Sequence, residues 1–357
     1  MASADFPTHA SAVIIGGGVM GLSTAYHLAR DGVRDVVLVE QAELGGGSTC
    51  RAAGGVRAQF SDAVNVELGR RSLETFEKFK QEFDQEIDLH QVGYLFLLDQ
   101  PEHVAAFELN VALQNELGVA SRMIDVAEAK RLSPLIETDG LLAAAWSPND
   151  GHCTPESVVL GYAGAARRAG ARLVRGCSVT GIATDGTTIA AVETSHGTIR
   201  TDTVICAAGA WSQQIGDMAG VHLPVEPVRR QILTTEPMPV LDPRTPFTID
   251  FSTSLYFHSE GPGLLIGLSD PDEEPGFKLS WSDDWLPRLG DAIERRAPRI
   301  TEVGIASGFS GHGFLMGPAI GEVVRDLYLG DTPVVDVGGL DARRFAGSTI
   351  RPELNIV

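Results

Sequence analysis

Three glycines near the start of the chain have the spacing of a phosphate-binding turn. Gly16, Gly18 and Gly21 form the pattern G-x-G-x-x-G between an apolar run, "SAVIIGG", and a helix-like run, "MGLSTAYHLARDG". In such a turn the first glycine permits a tight bend, the second lets the backbone approach a pyrophosphate, and the third allows close helix–strand packing. Glu40 ends the next apolar run, "DVVLVEQ", where a carboxylate binds a ribose hydroxyl. The pattern predicts a dinucleotide site; a glycine-tolerant turn without a ligand is the alternative.

Three further segments rich in small residues suggest that the ligand is long. "LGGGSTCRAAGGVRAQF" follows Glu40, "TVICAAGAWS" is a strand-like run that ends in Ala-Ala-Gly, and "ASGFSGHGFLMGPAIG" (306–321) contains five glycines. Glycine lets a backbone come close to a ligand, although it costs conformational entropy on folding. We expect these segments to contact one extended cofactor, which favours FAD over NAD. An NAD-dependent dehydrogenase is the alternative reading of the first turn.

The elements that must position these residues follow from the apolar patterns. The first strand, helix and second strand predict a right-handed βαβ unit of a Rossmann-like α/β domain. Further patterns predict a helix over 61–85, a strand over 93–99, mostly helices over 102–131, a helix over 155–168 and a hairpin in "SLYFHSEGPGLLIGL". We predict a discontinuous nucleotide-binding domain (1–90, 150–222 and 304–357) and an inserted second domain (91–149 and 223–303).

Composition limits the class of protein. The 357 residues suffice for two domains, and the net charge of −19 disfavours nucleic acid as a partner, because phosphate binding depends on Lys and Arg. Four widely spaced cysteines give neither a zinc signature nor a disulfide framework. The N-terminus lacks the features of a signal peptide, and no apolar run is long enough for a membrane span. These features predict a soluble protein of the cytoplasm.

Four motifs in this order carry a family resemblance: "VIIGGGVMGLSTAYHLA", "GGSTCRAAGGVRAQF", "VICAAGAWS" and "GFSGHGFLMGPAIGEVV". Together they resemble the FAD-dependent amine and amino-acid oxidoreductases of the D-amino acid oxidase superfamily, especially sarcosine oxidase β-subunits, dimethylglycine dehydrogenase and glycine oxidase. The resemblance implies a glutathione-reductase-like FAD-binding domain and an inserted α+β substrate domain built on a mixed antiparallel sheet. It also implies oxidation of an amine next to a carboxylate, with a small amino-acid-like substrate.

The resemblance assigns roles to particular residues. Arg57 is expected to bind the substrate carboxylate, because a planar guanidinium matches two carboxylate oxygens, and Arg51 is the alternative. Tyr256 and His258 are expected on the substrate face of the flavin, and His312 near the flavin ring or the diphosphate. No metal ligand is expected. The expected contacts to non-covalent FAD are Gly16, Gly18, Val19, Met20, Gly21, Glu40, Gln41, Gly47, Ser48, Thr49, Arg51, Ala53, Gly54, Gly55, Val179, Ala208, Gly209, Trp211, Gly311, His312, Gly313, Phe314 and Leu315.

The chain departs from these relatives at three places. Leu315 replaces a lysine that monomeric sarcosine oxidases hold near the flavin for reaction with oxygen, which favours a dehydrogenase over an oxidase. Pro155 stands where sarcosine oxidase β-subunits carry a histidine that bonds a second flavin, so a covalent FMN is not expected. A flavin-contacting block of the relatives is missing between Ala306 and Ser307. A flavin-binding but non-catalytic subunit is therefore the alternative function, and a homo-oligomer or an electron-accepting partner subunit is compatible with either.

Overall fold

The computed structural model describes residues 6–186, 188–238, 241–302 and 332. Its helices are α1 (Val19–Arg30), α2 (Ala63–Glu77), α3 (Phe79–Phe83), α4 (Pro101–Glu116), α5 (Val126–Leu132), α6 (Pro155–Arg168), α7 (Ser212–Met218) and α8 (Leu286–Arg296). Its strands are β1 (Ala12–Ile15), β2 (Val36–Val39), β3 (Gly55–Val56), β4 (Tyr94–Leu98), β5 (Arg122–Ile124), β6 (Ala143–Ser147), β7 (Gly151–His152), β8 (Arg172–Val174), β9 (Val179–Asp185), β10 (Thr188–Thr194), β11 (Gly197–Arg200), β12 (Val204–Cys206), β13 (Gln231–Thr234), β14 (Phe247–Asp250), β15 (Tyr256–Glu260) and β16 (Gly263–Leu268).

A parallel sheet of order β12-β1-β2-β8 forms the centre of the nucleotide-binding part. Side chains alternate across its two faces, as they must in a strand. Ile14 and Leu38 belong to a core shared with α1 and α6. Val13 and Val37 point the other way, into a core shared with the antiparallel sheet β11-β10-β9. Burial on both faces explains why β1 and β2 are continuous apolar runs.

A second, mixed sheet has the order β13-β16-β15-β14-β4-β6-β5. Only the β4–β14 pair is parallel among its described ladders; the others are antiparallel. Leu95 and Leu97 of β4 enter a core with α5 and α8, whereas Phe96 and Leu98 enter a core with α4. The Rossmann-like α/β fold and the mixed antiparallel sheet are thus confirmed.

Several element predictions need adjustment. The helix expected over 61–85 is two helices, since α2 ends at Glu77 and α3 begins at Phe79. The stretch 102–131 includes the strand β5 between α4 and α5. The strand over 93–99, the helix over 155–168 and the hairpin β15–β16 are confirmed. The domain boundaries remain a prediction.

The short ladder β3–β7 connects the two parts of the molecule. Gly55 pairs with His152, and Val56 with Gly151. β3 belongs to the loop that follows the nucleotide-binding β2, and β7 follows β6 of the mixed sheet. The ladder therefore brings the second glycine-rich loop next to the mixed sheet. Within the described ranges, no helix has both the length and the apolar character that crossing a membrane requires.

Candidate functional site

Two glycines of the first turn are required by packing alone. Gly16 has a φ of 114°, and a Cβ there would lie 2.3 Å from the carbonyl oxygen of Ala207. A Cβ on Gly21 would lie 2.0 Å from the carbonyl oxygen of Gly16. Since real Cβ atoms do not approach backbone so closely, no larger residue fits at either position. These two glycines let β1, β12 and α1 meet at one point.

Gly18 differs from Gly16 and Gly21, because a Cβ added there would not clash with the backbone. An added Cβ would contact only Thr49 Oγ1, at 3.0 Å, and Gly18 has an ordinary φ of −76°. Gly18 is the N-cap of α1 and supplies no side-chain cap, while Thr49 Oγ1 accepts a hydrogen bond from the Val19 amide at 3.1 Å. Met20, in the first turn of the helix, leaves 74% of its surface exposed. The N-terminus of α1 thus has no side-chain cap from Gly18 and an exposed residue in its first turn, and its partial positive charge favours a phosphate there.

Glu40 joins the two glycine-rich loops. Its Oε2 accepts a hydrogen bond from the Gly17 amide at 2.7 Å, and its Oε1 accepts one from the Ala42 amide at 2.9 Å. A carboxylate offers about four lone-pair sites, so each oxygen can still accept a bond from a ribose hydroxyl. Gln41, next to it, is exposed. The sequence predicted the ribose contact but not that Glu40 also holds the turn in shape.

The second glycine-rich loop runs from the first turn to the mixed sheet. At its start, the Gly45 amide donates to the Gly17 carbonyl at 2.8 Å. At its end, a Cβ on Gly55 would lie 2.0 Å from the hydroxyl oxygen of Tyr94, on β4. Arg51, between them, is exposed. The loop thus connects the first glycine turn to the mixed sheet.

The other expected FAD contacts of the described chain differ in their surroundings, and their contact with FAD remains a prediction. Trp211 is half-buried, and a Cβ on Gly47 would lie 3.8 Å from its ring. Trp211 also packs on Phe277, with ring centroids 5.4 Å apart. Gly209 has a φ of 52°, and Val179 is half-buried at the start of β9. The remaining expected FAD contacts are partly or fully exposed; these are Ser48, Ala53, Gly54 and Ala208.

Arg57 lies at the end of this loop, in an aromatic environment. Its Nη1 donates to the Gln59 carbonyl at 2.5 Å, and its guanidinium lies 4.3 Å from the Phe60 ring centroid and 5.4 Å from that of Phe96. Burial lowers the pKa of Arg57, but a guanidinium stays protonated in proteins. Among the described residues no carboxylate forms a salt bridge with Arg57. The buried carboxyl of Asp150 acts on Arg57 through its charge but forms no salt bridge with it.

Tyr256 and His258 both lie on β15 but differ in exposure. Tyr256 is half-buried, stacks on Phe247 at 5.6 Å and lies over Gly267, and burial raises the pKa of its hydroxyl. His258 is buried, with Nε2 2.9 Å from the Ala53 carbonyl oxygen and Nδ1 2.8 Å from that of Ser259. It ties β15 to the backbone of the glycine-rich loop. Its predicted contact with substrate remains a prediction.

Asp150 is a site residue that the sequence reasoning missed. Its carboxyl is fully buried, and Oδ1 accepts a hydrogen bond from the Ala58 amide at 3.1 Å. Burial raises the pKa of Asp150 to about 6, against an ordinary value of 3.8. The bond fixes the backbone directly after Arg57. The turn-like "SPNDGH" gives no sign that its aspartate points inward rather than into solvent.

Tyr94 was also missed, although its strand was predicted. It stacks on Phe247 with ring centroids 4.3 Å apart, and both are buried. Together with Phe96 they form an aromatic floor below Arg57 and Gly55. Alternation along "GYLFLLD" could have shown that Tyr94 and Phe96 share a face. The expected contacts Gly311, His312, Gly313, Phe314 and Leu315 lie outside the described residues.

Comparisons with known proteins identify the family of this chain. The family model described as FAD dependent oxidoreductase matches residues 11–327. The crystal structure of L-proline dehydrogenase from P. horikoshii superposes with a TM-score of 0.78 at 32% identity, covering 96% of this chain and 99% of that one. Mitochondrial dimethylglycine dehydrogenase of Rattus norvegicus is 34% identical over 306 residues, which cover 84% of this chain and 35% of that protein.

Mitochondrial sarcosine dehydrogenase of Homo sapiens is 29% identical over 395 residues, covering 96% of this chain and 42% of that protein. That alignment is longer than the 357 residues of this chain, so the relative has segments without a counterpart here. The chain spans less than half of the length of either mitochondrial relative. The family match nevertheless covers most of it. This chain belongs to the family of FAD-dependent oxidoreductases, and FAD is its cofactor.

Proposed function

We propose that this protein oxidises the C–N bond of a small amino acid or N-methyl amino acid. The observation that carries the proposal is Arg57, a partly buried cation without a salt bridge in the described chain, at the end of the glycine-rich loop. Bound FAD would supply the two-electron oxidation, taking up the hydride that the amine-bearing carbon loses; water would then hydrolyse the imine product. The described residues supply orientation and electrostatics.

The placement of Arg57 supports a carboxylate-bearing substrate. The Gln59 carbonyl and the Phe60 and Phe96 rings hold the guanidinium in place, so its remaining N–H groups keep a fixed direction. A fixed fork binds the two oxygens of a carboxylate with little loss of side-chain entropy. The half-buried Tyr256 hydroxyl is the second group that we assign to substrate binding.

The names of the relatives suggest the substrate class. Dimethylglycine, sarcosine and L-proline all carry an amine on the carbon next to a carboxylate. We infer the same arrangement for this protein's substrate; glycine and D-amino acids share it. Leu315, in place of lysine, supports an electron acceptor other than oxygen. A homo-oligomer or an electron-accepting partner subunit is part of this proposal. Two of the relatives named above, dimethylglycine dehydrogenase and sarcosine dehydrogenase, are mitochondrial, so the cytoplasm remains an expectation.

A flavin-binding subunit without activity is the competing function, because of the block missing before Ser307. The visible spectrum of the purified protein distinguishes the two. We expect oxidised-flavin absorption that sarcosine, dimethylglycine, proline, glycine or a D-amino acid bleaches under anaerobic conditions. A yellow protein that none of these amines bleaches would contradict the proposed oxidation and support the silent subunit. A colourless protein that binds NAD would contradict both.

A further inference from the structure

Three histidines and a glutamate come together where β7 meets β15. The rings of His90 and His152 are 5.1 Å apart, and those of His152 and His258 are 4.3 Å apart. Glu260 lies two residues beyond His258, hence on the same face of β15. One possible ligand atom each from His152, His258 and Glu260 lies within 4.8 Å of the others. We call these three residues the His–His–Glu cluster.

His152 has a nitrogen without a partner. The residue is 6% exposed, and its buried Nε2 has no hydrogen-bond partner in the described part of the chain. Burial lowers the pKa of its imidazole to about 3, so the ring is neutral at physiological pH. An unpaired buried polar atom costs free energy, which favours a ligand that this nitrogen can bind.

His258 differs from His152, because each of its two ring nitrogens lies close to a carbonyl oxygen. Nδ1 is 2.8 Å from the carbonyl oxygen of Ser259, and Nε2 is 2.9 Å from that of Ala53. A neutral imidazole carries one N–H, so it can donate to only one of these carbonyls. Burial lowers the pKa of His258, which disfavours the doubly protonated ring. A metal on one nitrogen, with the other donating to a carbonyl, is the usual arrangement of a ligating histidine.

Glu260 adds a carboxylate to the cluster, and His90 is the neighbouring group whose charge favours its ionised form. Burial raises the pKa of its carboxyl, and the negative charges of Asp88 and Glu156 raise it further. Asp88 itself is 3.1 Å from His90 Nε2. A bound cation would offset the repulsion among these carboxylates.

We propose that His152, His258 and Glu260 bind one divalent transition-metal ion, with Zn²⁺ as the best match. Two nitrogens, one carboxylate oxygen and a water form a common four-coordinate zinc site. Tetrahedral ligands about 2.0–2.2 Å from the ion lie roughly 3.3 Å apart, so the ligand atoms must close by at most ~1.5 Å. Closing the cluster requires the exposed Glu260 to move and one of the two carbonyl contacts of His258 to give way to the ion. The widely spaced cysteines argue only against a cysteine-ligated zinc site.

The position of the cluster gives the ion a structural role. His152 belongs to β7, which pairs with β3 of the glycine-rich loop, whereas His258 and Glu260 belong to the mixed sheet. An ion bound by both would fix the loop that carries Gly54 and Gly55 against that sheet. Because the ion binds only the folded chain, it should raise the thermal midpoint of unfolding.

Direct metal binding tests the proposal independently of enzymatic activity. Untagged, flavin-loaded protein is stripped of metal with EDTA and titrated with Zn²⁺ by calorimetry, and with Co²⁺ while absorption is followed at wavelengths above the flavin bands. We expect one saturable site, tetrahedral cobalt bands and a higher thermal midpoint with Zn²⁺. No saturable site at one ion per chain would overturn the proposal.

Variants locate the site. His152→Phe keeps a buried ring and Glu260→Gln alters a mainly exposed side chain, so both variants should fold. Each should weaken Zn²⁺ binding by about 100-fold or more, because even residues that only hydrogen-bond to a metal ligand contribute 10- to 100-fold to metal affinity. Glu156→Gln is the matched control: it removes a nearby charge but no ligand and should change binding by no more than about threefold. Equal affinity in His152→Phe, Glu260→Gln and the parent protein would overturn the assignment.

Discussion

Replacing Arg57 by alanine should weaken the binding of carboxylate-bearing substrates selectively. Truncating one member of a desolvated charge pair costs about 2–5 kcal/mol, and Arg57 is only partly buried, so we take the lower half, about 2–3 kcal/mol. At about 1.4 kcal/mol per factor of ten, KM should rise roughly 30- to 150-fold. Arg57→Lys keeps the charge but loses one charge-assisted hydrogen bond, so about tenfold is expected.

The assay compares a substrate with its neutral analogue. Anaerobic flavin reduction is followed with sarcosine and with sarcosine methyl ester, which lacks the negative charge. The parent protein should prefer the acid, and Arg57→Ala should react with both at similar KM. If the guanidinium only binds, kcat should change much less than KM. Arg131→Ala, on the exposed face of α5, is the control and should leave the preference intact.

The refuting result is specific. If Arg57→Ala retains the parent's preference for sarcosine over its ester, Arg57 does not bind the carboxylate. The Phe60 and Phe96 rings around the guanidinium would then indicate a packing role. Circular dichroism and flavin content of each variant show whether a change in KM reflects binding rather than a damaged fold.

Three further predictions concern the fold and the cofactor-binding turn. Gly21→Ala places a Cβ 2.0 Å from backbone and should lower the free energy of unfolding by about 3 kcal/mol or more, as urea unfolding will show. Gly18→Ala should lower it by about 1 kcal/mol or less but should weaken FAD binding, as flavin retention will show. Unchanged stability of Gly21→Ala would contradict the packing argument. The pKa of Asp150 is raised to about 6 from 3.8, so between these pH values the folded protein holds a proton that the unfolded chain has lost. The free energy of unfolding should therefore fall by roughly 3 kcal/mol as pH rises from about 4 through about 6. Urea titrations across this range should show that Asp150→Asn removes this pH dependence; an unchanged pH dependence would exclude Asp150 as its source. Asp250→Asn removes the negative charge 2.7 Å from the fully buried Arg296, although the new amide oxygen can still accept a hydrogen bond and Asp99 remains 4.0 Å from the guanidinium. We therefore expect a cost of about 3 kcal/mol in chemical denaturation, the lower end for breaking a buried pair and more than an exposed ion pair is worth. A cost below about 1 kcal/mol would show that the pair is not desolvated.

Local patterns in the sequence were sufficient to predict the Rossmann-like fold of the cofactor-binding part of the molecule. Gly21 and Glu40 make their contacts within one βαβ unit, so nearby residues were enough to predict them. Gly16 also packs against the distant Ala207, but the local glycine pattern already predicted it. The hairpin β15–β16 could be predicted for the same reason, because its turn and alternation are local.

Only the tertiary structure decided which side chains complete the site. Asp150 bonds to Ala58, 92 residues away, and His258 to Ala53, 205 residues away. Such pairs depend on how β3, β7 and β15 meet, and one sequence carries no periodicity across those separations. Burial decides the chemistry of both side chains, since it raises the pKa of Asp150 and lowers that of His258. Burial belongs to the assembled fold rather than to any residue, because it is set by what packs around a group.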